Sequence, residues 1–362
     1  FNPDGNQINT DNLISNILPD YITYNIGSSN KKLNPQFTDP AKGDYSLSTG
    51  SQAIDAGNTS HYDTAKATAA QGFDLAGSAR IYGTAIDMGA YESQLEITPS
   101  DQGIVYVWEG HNGKGTSWED AYPNLADPLL QAKNNKRIKQ IWVAKGTYHP
   151  MHKPGAQSRV EYKTFALVEG VNVYGGFAGT ETAIDERVLG ENESILSGVD
   201  EENHGVFHIL IAPDIPEESS VVVDGFTLSG NNSSVSNGSY GIDGTVISDN
   251  KGAAIYTANA TLELNHITIK ENNPSGKTTG KTWGSTMIYS YNSDILLTNS
   301  TIISNTQTDS DRGVVVLDGG SNLEAANLLI AENTASYIVQ ALDASSIYLS
   351  NITLAQNINA KG

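Results

Sequence analysis

The chain has 362 residues, enough for two domains or one long repetitive body. Its 21 basic residues face 41 acidic ones, and the formal charge of -20 repels phosphate backbones and anionic surfaces, so nucleic acid is not an expected partner. It contains no cysteine, which removes disulfides and thiolate metal sites, and no apolar run of about 20 residues that would insert into a membrane.

In chain order, two phrases stand between Asn34 and Glu92: NPQFTDPAKGDYSLSTGSQAIDAGN and FDLAGSARIYGTAIDMGAYE. The segment SQLEITPSDQG, residues 93–103, reads as a linker. Next comes GKGTSWEDAYPNLADPLLQA, in which Asn124 is placed to cap a helix carrying Leu125, Leu129, Leu130 and Ala132. Lys133, Lys136 and Arg137 follow near its carboxyl end, where cations suit the helix dipole. Such a helix, placed before the first strands, is expected to cover edges that would otherwise recruit other chains. From Gln140 to Ala212, QIWVAKGTYHP, TFALVEGVNVYGGFAGTE, SILSGVD and VFHILIA read as less regular coils of the solenoid whose regular copies follow.

One phrase is then written repeatedly: VVVDGFTLSGN, LELNHITIKEN, ILLTNSTIISN, LEAANLLIAEN and IYLSNITLAQN. Their closing residues are Asn231, Asn272, Asn305, Asn333 and Asn357, so the intervals shrink while the phrase persists, as in a solenoid whose inserted loops vary on one face. Alternate apolar positions, such as Leu262 with Leu264 and Ile295 with Leu297, place one strand face inward. A second pair, such as Ile267 with Ile269 or Ile352 with Leu354, follows with switched parity, which marks a corner. The corner positions hold His266, Asn299, Asn327 and Asn351. Both columns are expected to form a structural ladder, because an asparagine donates and accepts at once and can bond to its copies above and below.

The phrases from Val105 to about Leu196 resemble a family of secreted right-handed parallel β-helix proteins common in Bacteroidota, and those between Asn34 and Glu92 resemble the signature that closes such a body. The resemblance implies an all-β, right-handed parallel β-helix (solenoid), with a short capping helix at the start of the second unit. Residues 1–92 would end one β-helix unit, 93–103 would link, and 104–362 would form the start and body of a second, truncated unit. It further implies a non-catalytic structural or adhesive segment of a large exported protein, extracellular or on the bacterial cell surface. The expected partners are neighbouring units of the same chain, glycans or other surface proteins, and no cofactor is implied.

Two other function classes follow from the residues themselves. A carbohydrate-binding surface would use Trp283, Tyr289 and Tyr291, whose rings can stack on sugars. A lyase or hydrolase of acidic polysaccharide would use Asp309, Asp311, Arg312 and Asp318, with Lys281 from the preceding repeat, because such chemistry needs positioned acids and bases across a groove. Asp55, Asp74 and Asp87 are candidate calcium ligands, although these aspartates also suit turns that cap main-chain amides. The pairs His204 with His208 and His149 with His152 lack a third zinc ligand at suggestive spacing. Thr64, in the tripeptide Asp63-Thr64-Ala65, resembles an O-glycosylation acceptor of the same bacterial group.

Overall fold

The computed structural model describes residues 37–47, 51, 53–54, 56–57, 73–77, 80, 86–93, 97–133, 135–154, 159–234, 237–242, 244–278, 281–307 and 313–359, with the side chains of 276–284 outside that description. The chain divides into two compact units, Phe1–Glu96 and Ile97–Gly362. The division falls inside the expected linker, and its second half belongs to the second unit: Ile97 is buried in that core, and the Thr98 amide donates to the Lys114 carbonyl at 2.9 Å. With 45% strand against 7% helix, the fold class is all-β.

In the first unit, Phe37–Asp39 pairs antiparallel with Asp44–Leu47 through a 3-10 turn at Pro40–Lys42. Leu47, Ala53 and Met88 are buried together, with Phe37 and Ile54 against them.

The second unit is built from three stacks of parallel strands. The first contains Phe165–Ala166, Leu210–Ile215, the amino half of Ile255–Asn265, Ile288–Tyr291, Gly313–Asp318 and Tyr337–Ala341. The second runs from Ile104–Val107 through Gln140–Ala144, Asn172–Phe177 and Val221–Asp224 into the carboxyl half of Ile255–Asn265. It continues through the first halves of Asp294–Ile303, Asn322–Ala331 and Ser346–Ala355. The third contains Gly146–Tyr148, Ser194–Ser197, Phe226–Ser229 and Thr268–Lys270, then the second halves of the same three long strands.

Register explains the core. Val223, Leu264, Leu297, Ala325 and Leu349 are successive partners in the second stack, and Leu228, Ile269, Ile302, Ile330 and Leu354 in the third. All of these except Leu349 and Leu354 are buried. Burying each such aliphatic side chain stabilises the fold by roughly 1.5–3 kcal/mol, so the repeated phrase is a repeated core contribution. Between the two stacks the chain turns at one left-handed residue: His266, Asn299, Asn327 and Asn351 have φ of 49°, 50°, 57° and 53°. A single such residue rotates the strand and shifts its inward parity, and asparagine tolerates this conformation better than most side chains.

The ends of the second unit differ. Near the amino end, helix α1, Ala126–Ala132, buries Ala126, Leu129 and Ala132 in the same core as Val105 and Val107. Asn124 accepts the Asp127 amide at 2.9 Å, but α1 starts only at Ala126 and leaves Leu130 exposed. The first strand, Ile104–Val107, is bonded on its outer edge by an irregular segment: Tyr106 donates to Gly115, Tyr122 to Tyr106, and Trp108 to Tyr122, at 2.8–2.9 Å. Gly115 has φ of +93°, and a Cβ there would lie 2.8 Å from the Val105 side chain, so glycine is required where this segment crosses the strand. At the other end, Ser346–Ala355 has no strand partner beyond Asn322–Ala331 among the described residues.

Candidate functional site

Two clusters gather titratable and aromatic side chains on the outside of the stacks. The first lies on the second stack, where Trp142, Tyr174 and Asp224 are outward neighbours in register. Trp142 stacks on Phe177 at 4.8 Å, Tyr106 packs edge-on against Trp142 and Trp118, and Trp118 lies tilted against Phe177. The adjoining segment 178–189 is pinned by Glu181, which accepts the amides of Ala178, Gly179 and Thr180, and by Trp118, which donates to the Glu181 carbonyl. Arg187 then donates to the carbonyls of Ile184 and Gly175 and bonds the Asp224 carboxylate at 2.9 Å, while lying over the rings of Phe177 and Tyr174. His266 Nδ1 is 3.0 Å from the other Asp224 oxygen. A cleft of about 610 Å³ opens beside them, lined by Gln102, Gln140, Trp142, Asp185, Arg187 and His266.

The chemistry of this cleft is limited by how its charges are used. Arg187 and Asp224 are almost wholly covered and bonded to each other, so neither is presented to a ligand as a lone charge. Trp142 is only 3% exposed, and its indole N–H is committed to Gln140 at 2.8 Å, so its ring is a floor and not a stacking platform. His266, expected as a member of the asparagine ladder, has instead become the partner of Asp224, and Asn299 bonds to Asn265 in its place at 2.8 Å.

The second cluster lies on the first stack. Tyr256, Tyr289 and Val316 are successive outward residues, covered in part by the hairpin Ser239–Ile242 with Thr245–Ser248. Tyr289 donates to Asp318 at 2.5 Å, Lys251 reaches the same phenol at 2.6 Å, and the Lys251 ammonium sits 4.2 Å from the ring centre. Burial pushes the Asp318 carboxyl up, but the Tyr289 hydrogen bond, the Lys251 charge and the Gly319 amide outweigh it and hold it below the usual carboxylate range. An acid held ionised and already accepting these donors is a poor proton donor. The structure thus joins Asp318 to Tyr289, which the sequence assigned to different functions, and adds Lys251, which carried no signal.

Tyr289 and Tyr291 do not form the expected platform. Tyr289 is 3% exposed, whereas Tyr291 is 47% exposed and lies against Gly319, where a Cβ would come within 2.6 Å of its ring. Trp283 and Lys281 lie on a hairpin strand, Lys281–Gly284, paired with Ser275–Thr278, so the expected loop is a β-hairpin; their side chains fall outside the described part. Asp309, Asp311, Arg312, Asp55 and Thr64 also lie outside the described residues. Asp74 accepts the Glu92 amide at 2.9 Å and Asp87 accepts the Ser93 amide at 2.5 Å, the main-chain role that competes with calcium binding. Among the described residues no group of three His, Asp or Glu is placed to hold a metal.

The histidines are separately engaged. His149 bonds the Val199 carbonyl, His152 bonds Asp127, His204 meets Asp200, and His208 bonds the Gly252 carbonyl at 3.1 Å. His208 is fully buried, and desolvation pushes its imidazole down to about 4 against the carbonyl hydrogen bonds that favour the charged form. At the base of α1, Asp127 accepts from Tyr122, Asn124 and His152 at 2.6–2.9 Å. Burial raises its carboxyl, and these partners, His152 first, more than reverse the effect.

The asparagines stack in two ways. Asn231, Asn272, Asn305 and Asn333 are buried, and each main-chain amide donates to the Oδ1 of the next asparagine at 3.0–3.1 Å, ending on Asn357. Their carboxamides reach main-chain carbonyls of neighbouring repeats, as Asn305 does to Ile269 at 2.9 Å. The corner column lies at the surface, where Asn327 donates to Asn299 at 3.0 Å and Asn351 to Asn327 at 3.2 Å. A third ladder was not read from the sequence: Asn292 donates to Asn259, and Asn259 to Asp214, all three in the left-handed region. Its signal was the interval from Asn259 to Asn292, which equals that from Asn272 to Asn305.

Comparison with protein-family models, curated proteins and solved structures found no match to this chain.

Proposed function

We propose that the second unit is a right-handed parallel β-helix and that the chain is a non-catalytic structural or adhesive segment of a large exported bacterial protein, extracellular or on the cell surface, of the Bacteroidota kind that its phrases resemble. The observation that supports this most is the repetition of polar residues along the stacks. Asn231, Asn272, Asn305 and Asn333 each serve the repeat beside them, and the charged residues of both clusters are bonded to one another. Nothing in that pattern converges on a reacting atom.

A carbohydrate-binding role is the second reading, favoured by the cleft between Gln140 and His266, whose amide and imidazole groups suit sugar hydroxyls. Hydrolysis or elimination on an acidic polysaccharide is the third, and it rests on Asp318. The deciding experiment incubates the chain with acidic polysaccharides, with and without calcium, and follows new reducing ends and unsaturated products beside a glycan array. No product is expected. Product that disappears in Asp318→Asn would overturn the non-catalytic reading, and array binding lost in His266→Ala would establish the second. Surface labelling of intact cells tests the location: antibody that reaches the protein only after lysis would remove the exported role.

A further inference from the structure

The dipeptide Asn-Gly occurs twice in the chain, at Asn112–Gly113 and at Asn237–Gly238. Asparagine is a chemically labile residue, and a following glycine has no side chain to hold its amide away from the carboxamide. The fold treats the two pairs in opposite ways. Gly113 donates its N–H to the Ala121 carbonyl at 2.9 Å, and a Cβ on it would lie 2.3 Å from the Asp120 main chain, so its nitrogen is fixed within the segment that edges the first strand. Asn237 and Gly238 are both exposed, and among the described residues the Gly238 N–H has no acceptor, although its carbonyl takes the Asp249 amide at 3.0 Å. That bond closes the hairpin of Ser239–Ile242 with Thr245–Ser248, which lays Tyr240, Ile242 and Ile247 over Tyr256 and Tyr289. Asn237 itself accepts from the Asn250 carboxamide at 3.4 Å, next to Asp249, which is 1% exposed.

We infer that Asn237 is a site of spontaneous covalent modification, and that its conversion frees the hairpin 239–248 from the outer face of the first stack. The Gly238 nitrogen loses its proton to hydroxide and bonds to Cγ of Asn237. The Cγ–Nδ2 bond breaks, and Nδ2 takes a proton from water and leaves as ammonia. Water then opens the resulting cyclic imide, giving aspartate when it enters at Cγ and isoaspartate when it enters at the main-chain carbonyl. Water is the only co-reactant. Either product sets a carboxylate beside the buried Asp249, and isoaspartate also adds a carbon to the main chain, which draws the Gly238 carbonyl away from the Asp249 amide.

The full chain is aged at mildly alkaline pH, folded and in denaturant, and residues 112 and 237 are followed by peptide mapping with a protease that cuts before aspartate but not before isoaspartate. In the folded chain residue 237 is expected to convert at least about tenfold faster than residue 112, because Asn112 reacts only when the Gly113 bond opens. In denaturant the two are expected to convert at like rates. Equal rates in the folded chain, or a difference that persists in denaturant, overturn the assignment of the site. Amide exchange across residues 240–247 is then expected to rise about tenfold in the aged chain and to stay unchanged in aged Asn237→Gln. Unchanged exchange in a chain that has converted at residue 237 overturns the claim that the hairpin is freed, as does an equal rise in Asn237→Gln.

Discussion

The two ends of the second unit solve the same problem differently. At the amino end, a parallel strand with an exposed edge would invite other chains, and an irregular segment satisfies it by bonding Tyr106 and Trp108 while α1 seals the core with Leu129 and Ala132. At the carboxyl end the last repeat keeps the same alternation but leaves Leu349 and Leu354, in register with buried Ala325 and Ile330, exposed. The comparison shows that the repeat phrase encodes a surface for its neighbour rather than a self-sufficient element. A phrase becomes core only when another covers it, and a cap must be written in a different language, with glycines, aromatics and a helix.

The largest effect expected from this contrast comes from equal substitutions at the two ends. Leu129→Ala removes a side chain 3% exposed beneath the cap and is expected to cost about 3 kcal/mol. Leu354→Ala makes the same change at the open end and is expected to cost less than about 0.5 kcal/mol. Chemical denaturation of both variants checks the pair; equal losses would mean that the last repeat is covered in solution.

Acid should act next, and at identifiable places. His208 ionises at about 4 when folded and near its ordinary 6.5 when unfolded, so the unfolded chain binds the proton more readily between those values. Its contribution is therefore complete above about pH 6.5 and declines toward pH 4, by up to about 3 kcal/mol. Asp127 is shifted below its ordinary value, so its contribution persists at pH 6 and is lost only as pH falls through its folded value, in the acid range. Thermal melts from pH 7 to pH 3 should show a first decline that His208→Gln removes, followed below the ordinary carboxylate range by a second loss to which Asp127 contributes. A first decline unchanged in His208→Gln would mean that another group titrates there.

Much of this architecture was legible because its signals are repeated. Paired strands need alternation, and five copies of one phrase reveal the second and third stacks together with both asparagine columns. The first stack was harder to see, because its strands, such as Ile288–Tyr291 and Gly313–Asp318, are short runs carrying apolar residues on both faces, and they follow insertions of unequal length. The clusters were less legible still. Tyr289 and Asp318 come from successive repeats, Lys251 from a turn before Ile255, and Arg187 from a segment folded back over Asp224 from 37 residues away. Those contacts are set by stacking register and loop path, which leave no local periodicity. His266 shows the limit of reading by column: it occupies an asparagine position, yet the Asp224 carboxylate in the preceding repeat redirects it into a hydrogen bond.

The smallest effect concerns the two asparagine columns, which look alike as sequence and differ in depth. Asn305 is 1% exposed and bonds the Ile269 carbonyl, its neighbouring ladder members and the main chain. Alanine there strands several buried polar groups and should cost about 2 kcal/mol. Asn351 makes one surface bond to Asn327 at 3.2 Å, and water can replace that partner, so Asn351→Ala should change stability by less than about 0.5 kcal/mol. What remains at Asn351 is a backbone preference: φ of 53° suits asparagine or glycine better than alanine. Asn351→Gly should therefore match or exceed Asn351→Ala in stability, while Asn305→Gly should be no better than Asn305→Ala. If glycine fails to outperform alanine at 351, the corner column is held by its surface amides and not by the turn, and the distinction between the two columns collapses.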